Sequence, residues 1–479
     1  MKVRIIHVPD MLKAASRKKE ATVFMIPSFD KKSELEALIK GEKYYIHTYG
    51  CQANVRDEET MRGLLDEIGY RQTEKPEEAT LIILNTCAVR ENAEDKLFGE
   101  IGNLKRLRKQ NKNLVFAICG CVVEQPEILN KMLRTFKEVN LYFGTHEIVN
   151  LYELIYEART NKETIVCVQS KAGEVIEIEP VSRSNRYKAF VNVIYGCNKF
   201  CTYCIVPYTR GKERSRLFEG VINECRGLIS QGYQEITLLG QNVNAYGKDL
   251  SEGKDFADLL EEVAKLGISR LRFTTSHPGD FSSKMIDVIA KYPNIMKFIH
   301  LPVQSGSNRI LKAMGRRYTR EQYLALAKEM REKIPGLALS TDIIVGFPNE
   351  TDEEFKKTLS LVDEVKFEAA FTFIFSPRKG TPAAKMEDKV SKETKTKRFQ
   401  ELVKHLEKHI EARSQAMINK TYSVLVDGVS KTDKNMYSGY TEENKLVHFK
   451  ACDYLIGKIV KVKIIESHTY SLIGEIIDG

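Results

Sequence analysis

Cys197-Asn198-Lys199-Phe200-Cys201-Thr202-Tyr203-Cys204 sets three thiols at spacings of four and three residues. A loop this tight can wrap three thiolates around one small inorganic centre. A 4Fe–4S cube has four irons, so three cysteines leave one iron open to a small molecule. Structural zinc usually takes four ligands, and no histidine or fourth cysteine stands close by. The next cysteine, Cys225, falls on a helical stretch and reads as core.

Downstream, strand patterns recur at 190–195, 235–240, 270–275, 297–303, 338–345 and 369–375. Helical stretches alternate with them: Leu217 to Ser230, Asp255 to Leu266, Lys284 to Ala290, Arg320 to Lys333 and Asp352 to Val365. Six such units predict an incomplete parallel barrel over 183–413, whose reactive end is the carboxyl-end face of its strands. Lys392 to Ile418 reads as a charged linking helix. Short strands at 421–427, 445–449, 457–465 and 471–477, with turn signals such as Asp427-Gly428, then predict a small all-β barrel over 416–479.

Upstream, the apolar runs Tyr44 to His47, Thr80 to Leu84 and Leu114 to Ile118 read as buried strands of a parallel sheet. The helical stretches Arg56 to Ile68 and Glu94 to Gln110 separate them. Each strand runs out at a cysteine: Cys51, Cys87 and Cys121. Ligands of an open α/β sheet gather beyond the carboxyl ends of its strands, so three such thiols would converge on one point. Small or turn-forming neighbours (Gly50, Asn85, Thr86, Gly120) suit a backbone that approaches a bulky group closely. The alternative is three buried core cysteines, the reading preferred for Cys119. The expected fold is thus α/β: an open-sheet domain over 42–160, a partial (β/α)6 barrel, and a small C-terminal β-barrel. Residues 1–40 read as an extension with a helix at Lys32 to Lys40 and no chemistry.

The 479 residues are too many for one ordinary domain. The longest apolar run, Leu114 to Val123, is too short for a membrane span. No apolar signal core follows the basic N-terminal residues Lys2, Arg4, Lys13, Arg17, Lys18 and Lys19, so a cytoplasmic location is expected. Ten cysteines in a reducing compartment do not form a disulfide framework. The net charge of +9 suits a polyanion. Two basic clusters stand out, Lys105 to Lys109 with Lys112, and Arg210, Lys212, Arg214 and Arg216; each could equally be a solvated face. The C-terminal domain is balanced, with eight lysines against eight acidic residues from Asn419 onward.

The three-cysteine loop after the first strand of a six-strand partial barrel resembles the radical S-adenosylmethionine (SAM) superfamily. The resemblance implies that the open iron chelates SAM and that Tyr203 lies near the adenine. Leu239-Gly240-Gln241-Asn242 and Thr341 to Pro348, with Asp342 and Gly346, are similar to its SAM-contacting segments. Within the superfamily, nearly the whole chain resembles the methylthiotransferases, which carry an N-terminal three-cysteine domain and a C-terminal TRAM barrel. Thr275-Ser276-His277-Pro278, His300 to Ser307 with Gln304, and Ser376 to Pro382 share in that likeness. Thr48 to Asn54, Asn85 to Glu91 and Gly240 to Asn244 look like the branch acting on isopentenylated adenosine. Ala53 and Val123 depart from that branch's usual residues, and neither replaces a ligand.

The resemblance implies two 4Fe–4S clusters, on Cys197, Cys201 and Cys204 and on Cys51, Cys87 and Cys121. The first would release a 5′-deoxyadenosyl radical from SAM; the second would hold the sulfur to be transferred. Two SAM are consumed per turnover, one as methyl donor and one as oxidant. A methylthio group would then go onto carbon 2 of N(6)-dimethylallyladenosine beside the anticodon. The expected partners are the tRNA anticodon stem-loop, an electron donor such as flavodoxin or ferredoxin, and sulfur or iron–sulfur delivery proteins, with the chain a monomer. Lys199, Arg210, Lys212, Arg214 and Arg216 are the candidate phosphate contacts, since a splayed single-stranded base is the usual RNA target. The rival substrates are threonylcarbamoyl-adenosine and a ribosomal-protein aspartate. A non-catalytic RNA-binding metalloprotein is the rival of another class.

Overall fold

The computed structural model describes residues 3–5, 23–25, 27–88, 91–168, 174–177 and 181–478. Outside them lie Lys2, Lys13, Arg17, Lys18 and Lys19, and Val89 and Arg90 of the second signature.

The first layer is a seven-stranded parallel sheet in the order Val3–Ile5, Thr164–Cys167, Leu141–Phe143, Val115–Cys119, Leu81–Thr86, Lys43–Tyr49, Arg71–Gln72. Helices cover both faces, so its central strands are apolar throughout rather than alternating. Leu81, Ile83, Ala117 and Cys119 pack beneath Met61, Leu64, Leu151 and Ile155. Ile82, Leu84, Phe116 and Ile118 face Leu97, Ile101, Leu129 and Met132 on the other side. The sheet reaches beyond 42–160 in both directions, through Val3–Ile5 and Thr164–Cys167. Residues 1–40 thus contribute more than the expected helix, which runs Lys32–Leu38; Val23–Met25 also pairs in parallel with Glu174–Ile176. Three-residue strands flanked by charges carry no legible periodicity.

The second layer is the partial barrel. Lys188–Asn192, Glu235–Leu239 and Arg270–Phe273 form one parallel set, and Phe298–His300, Ala338–Val345 and Ala369–Ile374 another. The bridge Leu271 to Ile295 links them. Helices Arg320–Lys333 and Asp352–Val365 occupy the expected residues, each started by a capping box, Thr319 with Gln322 and Thr351 with Glu354. The expected first strand, 190–195, divides: Ile194–Tyr195 leaves the barrel and pairs antiparallel with Arg214–Ser215, closing the cysteine loop at its base. Helix Lys392–Gln415 does more than link, because Leu402, Leu406 and Ile410 join the barrel core.

The third unit is a closed five-stranded barrel. Besides the four expected strands it contains Tyr437–Tyr440, whose Tyr-Ser-Gly-Tyr sequence lacks apolar alternation. It seats against the amino ends of the first and third large-barrel strands. Tyr187 donates its hydroxyl to the Asp427 carbonyl, and Lys188 pairs with the Asp427 side chain. Buried Arg270 donates to the Tyr440 carbonyl at 2.8 Å and the Ser423 carbonyl at 2.6 Å. No helix among the described residues is long and apolar enough to cross a membrane.

Arg270→Ala strands two small-barrel carbonyls at this seat, each worth about 1–3 kcal/mol when left buried and unpaired. Scanning calorimetry of this variant should resolve a separate, earlier transition for the C-terminal barrel, where the parent shows one joint transition.

Candidate active site

Three adjacent parallel strands carry the N-terminal thiols. The register pairs Thr48 with Asn85 and Asn85 with Cys119, so Cys51, Cys87 and Cys121 follow side by side at the carboxyl ends. Neighbouring strands lie about 4.8 Å apart, which sets the scale of the group they can share. Cys87 N–H donates to the Tyr49 carbonyl, carrying the ladder up to the thiols. Cys51 is the N-cap of helix Gln52–Glu67. The Cys87 hydrogen bond is the largest influence on its thiol; with Arg210 and the Asn54 and Ala53 backbone, it outweighs burial and brings the Cys51 pKa down to about 5. Burial pushes the Cys121 thiol up, against the pull of Arg210.

The Asn54 and Asn85 carboxamides lock the strand ends together. Asn54 Nδ2 donates to Asn85 Oδ1, and Asn85 Nδ2 to Thr48 Oγ1 and the Asn54 carbonyl. Gly120, at φ +101°, passes so close to the next strand that a Cβ there would stand 2.3 Å from the Thr86 carbonyl oxygen. Cys119 lies in the sheet core and Cys225 in the barrel core, as the sequence reading expects.

The second trio sits in the loop beyond the first barrel strand. Phe200 adopts φ +48°, a conformation bulky residues rarely take, and this turns Cys201 back toward Cys197. Gly196 is pressed against the Lys212 carbonyl, which a Cβ would meet at 2.0 Å. Burial, with Cys201 close by, pushes Cys204 up to about 12. Arg316, itself buried, donates to Cys201 Sγ at 3.6 Å and to the Pro302 carbonyl at 2.6 Å.

The N-terminal trio reaches the barrel through Cys121. Cys121 and Ala88 pack with Ile205 and Tyr208, which directly follow Cys204. Tyr208 also feels the Cys204 charge and stands edge-on to Phe200. Helix Gln52–Glu67 is the keel of this junction: Arg56 pairs with Glu224, Asp57 with Arg210, and Glu59 with Arg183 and Ser184.

The expected SAM residues divide. Gln304, at φ +72°, has a buried Oε1 with no hydrogen-bond partner, and Tyr203 packs half-buried against Met314 and Phe347. Asp342 Oδ1 lies 3.4 Å from His300 Nε2. Gln241 Oε1 accepts from Gly196 N–H and so holds the start of the cysteine loop. The Asn242 amide donates to Glu213 and Asp280, and its oxygen accepts from His277 N–H. Gly346 lies under the Lys395 side chain, which a Cβ would meet at 2.4 Å.

The phosphate candidates are corrected as a group. Arg210, Lys212, Arg214 and Arg216 are buried, all below 7% exposed. Arg216 is taken by Glu224 and Glu177, Arg214 by the Arg210 and Lys212 carbonyls, and Lys199 by Asp280 at 2.5 Å. These cations build the loop's walls, which a one-dimensional count of charge cannot reveal. The exposed basic run is the other one, on helix Glu91–Gln110, where Arg106 and Lys109 face solvent. The sequence reading also missed Asp57, Tyr208 and Arg316; only the helical spacing of Asp57 from Asn54, placing both on one face, hinted at any of them.

Two sets of three thiols, each beside a buried arginine and a glycine that admits close backbone approach, suit polynuclear clusters. Among the described residues no three His, Cys, Asp or Glu side chains converge on a single metal ion. The buried, unpartnered Gln304 Oε1, Ser276 Oγ and His277 Nε2 lie past the ends of barrel strands, as donors and acceptors awaiting a polar ligand.

Residues 191–362 match the Radical SAM superfamily, 43–144 the Uncharacterized protein family UPF0004, and 415–477 the TRAM domain. In fold the chain is similar to a radical S-adenosylmethionine methyltransferase of Kitasatospora setae solved with cobalamin and a [4Fe-4S] cluster (TM-score 0.53, 13% identity, 71% of this chain and 74% of that one). Fold and site together define a radical SAM enzyme with an added three-cysteine domain and a TRAM barrel. The chain is 51% identical over 99% of its length to the tRNA-2-methylthio-N(6)-dimethylallyladenosine synthase of Anoxybacillus flavithermus, covering 90% of that protein. It is 49% identical to the Bacillus subtilis enzyme of the same name, over 98% of this chain and 93% of that one. The chain belongs to the tRNA-2-methylthio-N(6)-dimethylallyladenosine synthase family.

Gly120→Ala places a methyl group against the Thr86 backbone at a φ unsuited to alanine, a destabilisation of roughly 2–4 kcal/mol. Urea unfolding should register that loss, and iron analysis should show the N-terminal trio depleted while the Cys197 loop keeps its share.

Proposed function

We propose that this chain transfers a methylthio group to carbon 2 of N(6)-dimethylallyladenosine beside the anticodon of tRNA, with Cys51, Cys87 and Cys121 holding one 4Fe–4S cluster and Cys197, Cys201 and Cys204 the other. The observation that supports this reading is the packing of Cys121 against Ile205, the residue after Cys204, and against Tyr208. The bound clusters and SAM supply the radical and the sulfur that side chains cannot.

The chain's own residues orient and exclude. Tyr203, Gln304 and Asp342 would help to hold SAM beside the cluster of the Cys197 loop. Arg316 donates toward Cys201 and fixes the loop against the Pro302 carbonyl. The His277 Nδ1 accepts from Gly279 N–H, so Nε2 carries the proton, and burial holds the ring neutral with its pKa at about 2. It can therefore donate one hydrogen bond into the chamber without adding charge. The substrate base enters from a splayed loop, since a stacked base could not reach the chamber. An external donor such as flavodoxin or ferredoxin and a sulfur or iron–sulfur delivery system would reload the clusters in the cytoplasm.

The direct test is mass spectrometry of nucleosides from an anticodon stem-loop carrying dimethylallyladenosine, incubated with reconstituted enzyme, SAM, sulfide and reductant. The methylthio product is expected; its absence, with SAM consumption accelerated instead by a ribosomal-protein substrate, would move the chain to another branch, and zinc in place of iron would favour a non-catalytic metalloprotein.

Replacing Cys51, Cys87 and Cys121 together by alanine should remove about half the iron yet preserve reductive cleavage of SAM, because the remaining loop is complete in itself. Iron analysis and 5′-deoxyadenosine formation measure the two halves of this expectation.

A further inference from the structure

The Asp57–Arg210 pair joins the helix capped by Cys51 to the loop that follows Cys204. Both side chains are more than nine-tenths buried, and Arg210 Nη2 meets Asp57 Oδ2 at 2.5 Å. Arg210 belongs to the barrel, yet its guanidinium stands beside thiols of the other domain, Cys51 and Cys121. Its backbone is fixed at both ends: its N–H donates to the Val206 carbonyl at 2.8 Å, and its carbonyl accepts from Arg214 Nη1 at 3.1 Å. A buried cation is costly unless neutralised. Asp57 neutralises one charge here, and Cys51 and Cys121 are the next groups that act on the guanidinium. Cys201, in the other trio, already has such a partner in Arg316.

We infer that Arg210 is the positioning residue and counter-charge of the Cys51/Cys87/Cys121 site, supplied across the domain boundary by the radical SAM barrel and aimed by Asp57. This rests on the assignment of a cluster to those three cysteines. A 4Fe–4S cube held by three thiolates carries a net charge of about −1, falling to about −2 on one-electron reduction. A cation fixed beside the thiolates favours the reduced form and raises the potential; the Asp57 carboxylate opposes it. The site therefore acquires its working charge balance only when the two domains are docked.

The test uses the full chain with Cys197, Cys201 and Cys204 replaced by alanine, so that only the N-terminal cluster is reconstituted. Dithionite titration followed by electron paramagnetic resonance then reads its midpoint potential. Arg210→Gln should lower that midpoint. Asp57→Asn, which keeps an acceptor for the guanidinium but loses the negative charge, should raise it. Arg210→Lys should stay near the parent. Opposite shifts from the two partners of one ion pair are a signature that a merely structural role would not give. An unmoved midpoint in Arg210→Gln, or shifts of the same sign in Arg210→Gln and Asp57→Asn, would overturn the inference. If Arg210→Gln retains no cluster, iron retained by Arg210→Lys supports the counter-charge and iron lost from both overturns it. A parent without iron would instead sink the cluster assignment, a failure distinct from any shift among the variants.

Discussion

One row of charges on helix Gln52–Glu67 holds the two halves of this enzyme in register. Arg56, Asp57 and Glu59 lie within one turn of a helix whose other face, through Met61, Leu64 and Leu65, belongs to the sheet core. Across the boundary, burial pushes the Glu224 carboxyl up, but Arg216, Arg56 and Arg183 override it and hold its pKa at about 2. Deleting one partner of such a buried network costs about 3–5 kcal/mol, because the remainder is stranded without water. Apolar packing could have joined the domains as strongly. Ionic partners add a single permitted register, and a slip of one helical turn would carry Cys51 away from the barrel.

That register matters because the thiols have no other means of meeting. The N-terminal trio depends on the parallel sheet, which aligns the strand ends Tyr49, Thr86 and Cys119 although they are far apart in sequence. The Cys197 trio depends on a local loop, held by the Ile194–Tyr195 hairpin and by the unusual backbone of Phe200. One site is long-range and the other short-range. Each draws its thiols from its own domain, yet the chemistry needs both at one substrate.

This contrast also decides what could be read in the sequence. Cys197, Cys201 and Cys204 were legible from spacing, and Cys51, Cys87 and Cys121 from their place after apolar strand runs. Helices Arg320–Lys333 and Asp352–Val365 were legible to the residue because capping boxes start them. The short strands Val3–Ile5 and Tyr437–Tyr440 were not, since their stability comes from a neighbouring strand rather than from their own pattern. The cations after Cys204 were misread for a physical reason. Charge suggests solvent, but Arg210 and Arg216 are buried because Asp57 and Glu177 reach them from segments 153 and 39 residues away, joined by Glu224 on the next helix. Tertiary pairing of this kind leaves no local trace.

The distribution of unsatisfied polar atoms completes the picture. Thr86 Oγ1 ends a sheet strand, while Ser276 Oγ, His277 Nε2 and Gln304 Oε1 follow barrel strands, and all four are buried without a hydrogen-bond partner. Each such atom costs about 1–3 kcal/mol in an apolar setting, and a fold with no use for them would have lost them. Their shared place, at or beyond the carboxyl ends of strands, means the cost falls where ligands bind in both α/β domains. A polar ligand that satisfies them stabilises the folded chain through binding.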